Sequence, residues 1–484
     1  MNPHRTTREL IGPALLKQVA DGARAARRRG RPVLVTLMHS LAPGADPLAL
    51  AAAMNARVAP FFVWSHARFR YFALGAAVTF SVDHRGALLH DAEGLQLPFH
   101  PGAVSRFSSA GAACEWIFAG ALCASKIRLA RPRFVGGFSF DPETGGDDFL
   151  PAARLWLPRI AFAGQGRRTI ATLSALVHPG DDPDAVTAAL LGEVDAFRDG
   201  PAARERDTPT DTRIAADPVP AAWKELVAQA RRRIGAGDFE KVVLTRRFRL
   251  TGPRSFDIPS LHARLSARFP SSFVLALGQG ADAFVAASPE LLLRKIGRRV
   301  YSGSLAGSTA RGRTPLADRQ LAQALLESKK EQGEHAIVLR AIRQVLEPRC
   351  RELESPNAPS LVRLENVHHL HTPVTGLLRR PESVLSLVEA LHPTPAVSGY
   401  PREPALGMIR EVENFDRGWY AGPVGWLDAA GDGEFAVAIR SGRIRGREAD
   451  LYAGAGLVQD SVPEAELKET RVKLRALLDD LLEL

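Results

Sequence analysis

Gly422-Pro-Val-Gly-Trp-Leu-Asp-Ala-Ala-Gly-Asp-Gly-Glu-Phe-Ala-Val-Ala-Ile-Arg-Ser-Gly-Arg-Ile-Arg-Gly-Arg-Glu-Ala-Asp-Leu-Tyr-Ala453 is the stretch that decides the fold class. Three runs in it, Gly422–Asp428, Glu434–Ile444 and Ala449–Ala453, read as strands. Between them stand Ala430-Gly431-Asp432-Gly433 and Gly446-Arg447-Glu448, which carry turn chemistry. A parallel crossover needs a dozen or more residues, so joints this short make the strands antiparallel.

The same pattern extends upstream. Lys241–Leu250, Phe273–Leu277 and Ala283–Ala287 read as strands, and Leu291–Lys295 and Arg299–Ser302 as a hairpin around Ile296-Gly297-Arg298. Leu361–Thr372 adds another strand. Helices are expected over Trp223–Ile234, ended by Gly235 and Gly237, over about Pro315–Leu346, and from Pro463 to near the end. Pro463 suits a first helical turn, and Glu464 and Glu466 complement the helix dipole there. The N-terminal part mixes helical runs with strand-like ones: Val33–Leu37, Phe61–Trp64, Arg70–Ala73, Phe134–Phe140 and Leu155–Phe162. The fold class is therefore α+β, with large, mostly antiparallel sheets and flanking helices. A linker is expected over residues 201–222, where Pro201, Pro209, Pro218 and Pro220 stand among charges. It separates an N-terminal lobe, 1–200, from a C-terminal region, 223–484.

The chain has 484 residues and a net charge of +10, with 63 basic against 53 acidic side chains. That charge is compatible with an acidic small molecule. No basic run interleaved with aromatics and no nucleic-acid-binding signature accompanies it, so a nucleic-acid partner is not expected. Cys114, Cys123 and Cys350 form neither a disulfide framework nor a zinc spacing, which points to a reducing cytoplasm. Phe107–Ser125 is interrupted by Glu115 and reads as a buried helix, not a membrane span. Near the start, Leu10, Leu15, Leu16 and Val19 have the spacing of an amphipathic helix.

Several side chains stand where chemistry is possible. Glu466, Glu469 and Lys473 share one face of the last helix, and Glu327, Glu331 and Glu334 share a face of the long one. A carboxylate from each helix could clamp Mg²⁺; the same spacing also fits two solvated charged faces. Lys241 opens an apolar strand, where it is either a strand-edge lysine or a desolvated base. Glu290 stands between Ala-Ala-Ser-Pro289 and Leu-Leu-Leu293, and a carboxyl group among apolar neighbours can keep its proton and act as an acid. Arg440 ends an apolar strand and suits a carboxylate. Gly454-Ala-Gly456 either brings backbone N–H groups to an anion or makes a bulge. His368, His369 and His371 alternate across a strand without a companion metal-binding pattern.

Taken together, the runs Phe239-Glu-Lys-Val-Val-Leu-Thr-Arg246, Ala287-Ser-Pro-Glu290, Leu305-Ala-Gly-Ser308, Glu334-His335, His392-Pro-Thr-Pro-Ala-Val-Ser-Gly399, Asp416-Arg-Gly-Trp-Tyr-Ala-Gly-Pro-Val-Gly425, Gly433–Arg440, Tyr452–Gly456 and Glu466-x-x-Glu469-Thr-x-x-x-Lys473 resemble the chorismate-utilising family, in order and spacing. The family includes isochorismate, salicylate, anthranilate and aminodeoxychorismate synthases. The resemblance is strong over 220–484 and weak before it. It implies a two-lobed fold with the site between sheets and chorismate as substrate. It implies Lys241 as the base that activates water and Glu290 as the acid that protonates the departing C4 hydroxyl. It implies Mg²⁺ on Glu334 and Glu469 with Glu466 close by, and substrate contacts from Arg440, Lys473, Gly454, Gly456, Leu305, Thr372 and Ala396.

Within the family, ammonia-using members lack the lysine and carry Gly-x-Pro-Lys after the substrate loop. Here Lys241 is present and the loop continues Gly399-Tyr-Pro-Arg402. The resemblance is thus to the water-using isochorismate synthase branch, an isomerase with no glutaminase subunit, and family members are often monomers. Salicylate synthase, which goes on to eliminate pyruvate, is the alternative. Menaquinone and siderophore biosynthesis are both pathways such an enzyme feeds. Two departures stand out: Ser304 replaces the usual Pro, and Lys330-Glu331-Gln332-Gly333 replaces the usual acidic-Arg-His approach to Glu334.

Overall fold

A computed structural model describes residues 7–52, 60–67, 69–100, 102, 105–123, 127–143, 148–198 and 212–482. Two large sheets dominate it, one of 13 strands and one of 11, flanked by helices. Every pairing among the described strands is antiparallel except that of Val33–Ser40 with Leu122–Cys123. Both sheets mix strands from the two ends of the chain: Phe61–His66 pairs with Phe273–Gln279 in the larger, and Arg133–Phe138 with Pro423–Asp428 in the smaller. Leu275 and Leu277 of the larger sheet and Trp419 and Trp426 on the side of the smaller share one apolar cluster between them. Val274 and Ala276 face outward, under the Ile258–Arg268 and Pro463–Leu481 helices.

Three runs that read as simple strands turn out to change course. Leu155–Phe162 divides into Ala153–Leu157 in the smaller sheet and Ile160–Gln165 in the larger. Glu434–Ile444 divides into Gly433–Val437 in the smaller sheet and Ser441–Arg445 in the larger. Leu361–Thr372 is a hairpin, with Ser360–Arg363 folding back on Val367–Leu378. Through Ala438-Ile439 the chain stays apolar and largely buried, so periodicity does not mark that passage; Pro158-Arg159 and Glu365-Asn366 stand at the other two turns.

The expected helix over Pro315–Leu346 is two helices, Pro315–Glu327 and Lys329–Leu346. Ser328 breaks it: its ψ of 112° is extended, and its side chain accepts from the Glu331 N–H at 3.3 Å. A serine at a helix start satisfies a donor that would otherwise be orphaned. The break takes Glu327 off the face shared by Glu331 and Glu334; it bonds Gln323 in the preceding helix instead. It also sets Glu331 in the first turn of the second helix, where the helix dipole favours a carboxylate. Of the 201–222 stretch, residues 201–211 lie outside the described residues, while Arg213–Asp217 forms an edge strand and Pro220 begins a helix. Leu15 and Val19 are buried on the Thr7–Arg29 helix. Among the described residues, no helix is long and apolar enough to cross a membrane.

Candidate active site

Two passages of chain between the sheets deliver two of the charged groups. Ser288-Pro289-Glu290 leads from Asp282–Ser288 in the larger sheet to Leu291–Ile296 in the smaller. Ala438-Ile439-Arg440 returns from the smaller to the larger. Backbone and side chain tie the passages together. The Val437 N–H donates to the Glu290 carbonyl (3.1 Å), the Ala287 N–H to the Arg440 carbonyl (3.0 Å), and the Ser288 hydroxyl to the Val437 carbonyl (2.5 Å). Arg440 sits at φ 50°, a left-handed conformation that non-glycine residues adopt only when their surroundings hold them there.

Glu290 and Arg440 line one cleft with Glu334, Glu469, Lys473, Gly454 and Gly456, and with Leu305 and Ala396. The cleft is narrow, with about 60 Å³ free between its walls. Lys241, Glu466 and Thr372 are not in its lining. Lys241 lies directly behind, fully buried, with Nζ 2.8 Å from Glu334 Oε1. Glu466 is buried against Lys330 at 3.0 Å. The Thr372 hydroxyl meets His335 Nε2 at 2.8 Å, so it braces the residue after Glu334.

Gly456 fixes the Lys241–Glu334 pair in place. A Cβ there would fall 2.3 Å from Glu334 Oε1 and 3.1 Å from Lys241 Cε, so only glycine allows the pair to sit against the strand. Gly454 and Gly456 lie opposite Thr245 and Val243. Those two residues donate elsewhere, to Glu413 and to the Ser398 carbonyl, which makes these non-hydrogen-bonded pairs. The glycine backbone groups therefore turn away from that neighbouring strand, to the side where Lys473 Nζ meets the Gly454 carbonyl at 3.1 Å.

The substrate-loop run, residues 392–399, crosses the start of the Lys241–Thr251 strand. Gly399 pairs with Val242 at φ 146°, and a Cβ on it would lie 2.3 Å from the Lys241 carbonyl. Arg417 locks this loop down. It donates to the Val397 and Val243 carbonyls at 2.8 and 2.7 Å and pairs with buried Glu413. The Asp416–Gly425 run marked the family, yet nothing local in it announces this clamp.

Electrostatics separate the groups. Burial raises Glu290 to about 7, against the pull of Lys241, Lys473 and Arg440. Burial also opposes the charge on Glu334, but Lys241 and its hydrogen bond, with Lys473 and Lys330, hold it below the usual carboxylate range. Glu331 is pushed to about 7, first by burial and then by the charge of Glu334, with Glu469 adding to it. Burial and the charge of Glu469 likewise raise Glu466. Burial works against the charge on Lys473, and Glu469, 2.5 Å away, more than restores it. Burial lowers Arg440 to about 10. His369, driven far toward its neutral form by burial and then by Arg440, stands 3.1 Å from Arg440 Nη2 and can accept from it.

Spacing alone pairs Glu331 with Glu334 on one helix face without assigning it to the site, and gives His369 no partner. Both lie at the site: Ser308 N–H donates to Glu331 at 3.0 Å, and His369 lines the cleft. The spacing of Glu331, three residues before Glu334, was the available signal.

The site also bears on a divalent cation. Four carboxylates, Glu331, Glu334, Glu466 and Glu469, face three lysines, Lys241, Lys330 and Lys473, and the mutual repulsion is felt by Glu331 and Glu466. Among the described residues, no three His, Cys, Asp or Glu side chains already converge on one point. Mg²⁺ binds through one or two carboxylates and takes its other ligands from substrate and water, so a crowded acidic cluster of this kind fits it.

Comparison with known proteins agrees with the fold and the motifs. The family described as "Chorismate binding enzyme" matches residues 18–482. The salicylate biosynthesis isochorismate synthase of Pseudomonas aeruginosa is 36% identical over 464 residues, covering 94% of this chain and 92% of that one. Isochorismate synthase MenF of Bacillus subtilis is 37% identical over 353 residues, 72% of this chain and 74% of its own. The structure of MenF, the menaquinone-specific isochorismate synthase of Escherichia coli, shares the fold with a TM-score of 0.74, at 24% identity, over 95% of this chain and all of that one. The chain belongs to the chorismate-binding enzyme family.

Proposed function

We propose that the chain is an isochorismate synthase: it adds water at C2 of chorismate and expels the C4 hydroxyl. The observation that carries this is the shared neighbourhood of Lys241 and Glu290. Both are buried, the charge of Lys241 reaches Glu290, and they differ in kind, one amine and one carboxyl that burial keeps protonated to about pH 7. A base and an acid acting on two carbons of one ring is what a hydroxyl transposition needs. Chorismate is a dianion, and Arg440 and Lys473 supply two cations at the cleft wall. His369 aims Arg440, and Leu305 and Ala396 give the ring apolar contact.

In the reaction, Lys241 is the base: it takes a proton from the attacking water as the C2–O bond forms and the two ring double bonds shift toward C4. The C4–O bond breaks with its electron pair on oxygen, and Glu290 gives that oxygen a proton, so water leaves. One water enters and one departs; Lys241 then holds a proton that Glu290 lacks, and exchange with solvent resets both. Glu334 and Glu469, with Glu466 and Glu331 beside them, would hold Mg²⁺, which supplies positive charge for a ring carboxylate. The presence of Lys241 where ammonia-using members lack a lysine supports water as the nucleophile.

Product analysis tests this. Purified protein, chorismate and Mg²⁺ are expected to give isochorismate without pyruvate, and Lys241→Ala to give none while remaining folded. Salicylate with pyruvate supports salicylate synthase instead, and a requirement for ammonia refutes both.

A further inference from the structure

We propose that Lys330 is a resident counter-ion of the acidic cluster: its ammonium ties up Glu331 and Glu466 until a divalent cation displaces it, and so keeps the free protein's hold on Mg²⁺ weak. This role rests on the Mg²⁺ centre proposed above and assigns a function to a lysine that the reaction does not use. Lys330 Nζ lies 3.0 Å from Glu466 Oε1 and 3.3 Å from Glu331 Oε1. It joins the first turn of the Lys329–Leu346 helix to the first turn of the Pro463–Leu481 helix. A helix start disfavours a cation, so the two carboxylates, not the helix, hold the ammonium there.

The pairing at the cluster leaves this lysine as the one to yield. Glu334 has Lys241 at 2.8 Å and Glu469 has Lys473 at 2.5 Å, and both lysines are committed to the reaction. Among the described residues, Lys330 is the only cation in an ion pair with Glu331 or Glu466. Glu466 is almost wholly buried, so without a cation its charge would stand uncompensated. Glu331 is held from its other oxygen by the Ser308 N–H at 3.0 Å. Lys330 draws both acids to itself, in keeping with the lack of any three acids converging on one point among the described residues. Two cations cannot share these carboxylates without repelling, so Mg²⁺ binds against the ammonium. Lys330 has somewhere to go. It does not line the chorismate cleft; it lines an outer groove that shares Glu334 with the cleft and is bordered by Gly333, Gln459 and Asp460. A Cβ on Gly333 would meet nothing within 4 Å, so the groove leaves space for a long side chain to carry its charge to water. Weak retention suits an ion that takes its remaining ligands from substrate and water.

Calorimetric titration of Mg²⁺ into the full chain without chorismate, together with thermal unfolding midpoints with and without Mg²⁺, tests this on the unaltered protein, Lys330→Met and Lys330→Gln. Both variants are expected to bind Mg²⁺ at least about tenfold more tightly, the order of the repulsion between a monovalent and a divalent cation a few ångströms apart even in water. Without metal they should unfold at a lower temperature than the unaltered protein, and Mg²⁺ should raise their midpoints by more. Should Lys330→Met fail to fold, Lys330→Gln decides. Mg²⁺ bound by the unaltered protein and no more tightly by the variants overturns the role of Lys330 and leaves the metal centre standing. No Mg²⁺ bound by any of the three overturns both. Neither result depends on which product forms, so this test and product analysis can fail separately.

Discussion

Glu290 shows how much a single residue's neighbourhood contributes. Its flanking Pro289 and Leu291-Leu-Leu293 run made burial readable from the sequence, and burial is the first cause of its raised pKa. Glu290→Gln keeps the shape and removes the proton, so kcat is expected to fall roughly a hundredfold to ten-thousandfold, the range for a lost general acid. In its proposed role the acid works only while protonated, so its contribution is full well below pH 7 and is lost as pH rises through about 7. The kcat/KM profile of the unaltered enzyme should therefore fall on the alkaline side with a limb near that value; a flat profile from pH 6 to 9 contradicts the assignment. Lys241 was legible as well, as a lysine opening an apolar strand. Arg417 was not, because its partners Val243, Val397 and Glu413 come together only in the fold. Arg417→Ala leaves a buried carboxylate uncompensated, and denaturant unfolding is expected to show a loss of about 3–5 kcal/mol; a loss under about 1 kcal/mol would mean the clamp is slack.

At the scale of elements, the antiparallel sheets were readable from turn chemistry, and the places where strands leave one sheet for the other were not. Hydrophobic alternation reports burial, and Ala438-Ile439-Arg440 is as buried as a strand or nearly so. These passages hold Glu290 and Arg440 side by side through three cross-ties. Ser328 was similarly silent, since a serine inside a helical pattern can point to solvent or cap a new helix, and only its 3.3 Å bond to the Glu331 N–H decides. The strand bearing Gly456 makes the sharpest test of an element's fit. In Gly456→Ala the added methyl must displace Glu334 or Lys241, so kcat/KM should drop by about tenfold or more, more than any change in unfolding midpoint would account for. Turnover at the unaltered rate would show that the pair has slack the geometry denies.

In the whole molecule, two sheets drawn from both ends of the chain enclose one charged cleft, and the resemblance that covered chiefly residues 220–484 extends, by family match, over 18–482. The early strands were legible only as apolar runs, because their role is to pair with later ones, as Phe61–His66 does with Phe273–Gln279. The crowding of carboxylates at the cleft predicts that a chelator stops turnover and that added Mg²⁺ restores it, with circular dichroism unchanged throughout. The most direct test of the central claim follows the oxygen. Chorismate turned over with Mg²⁺ in ¹⁸O-labelled water, without ammonia, should yield isochorismate carrying ¹⁸O at its C2 hydroxyl and no pyruvate; unlabelled isochorismate, or no product until ammonia is added, would contradict it.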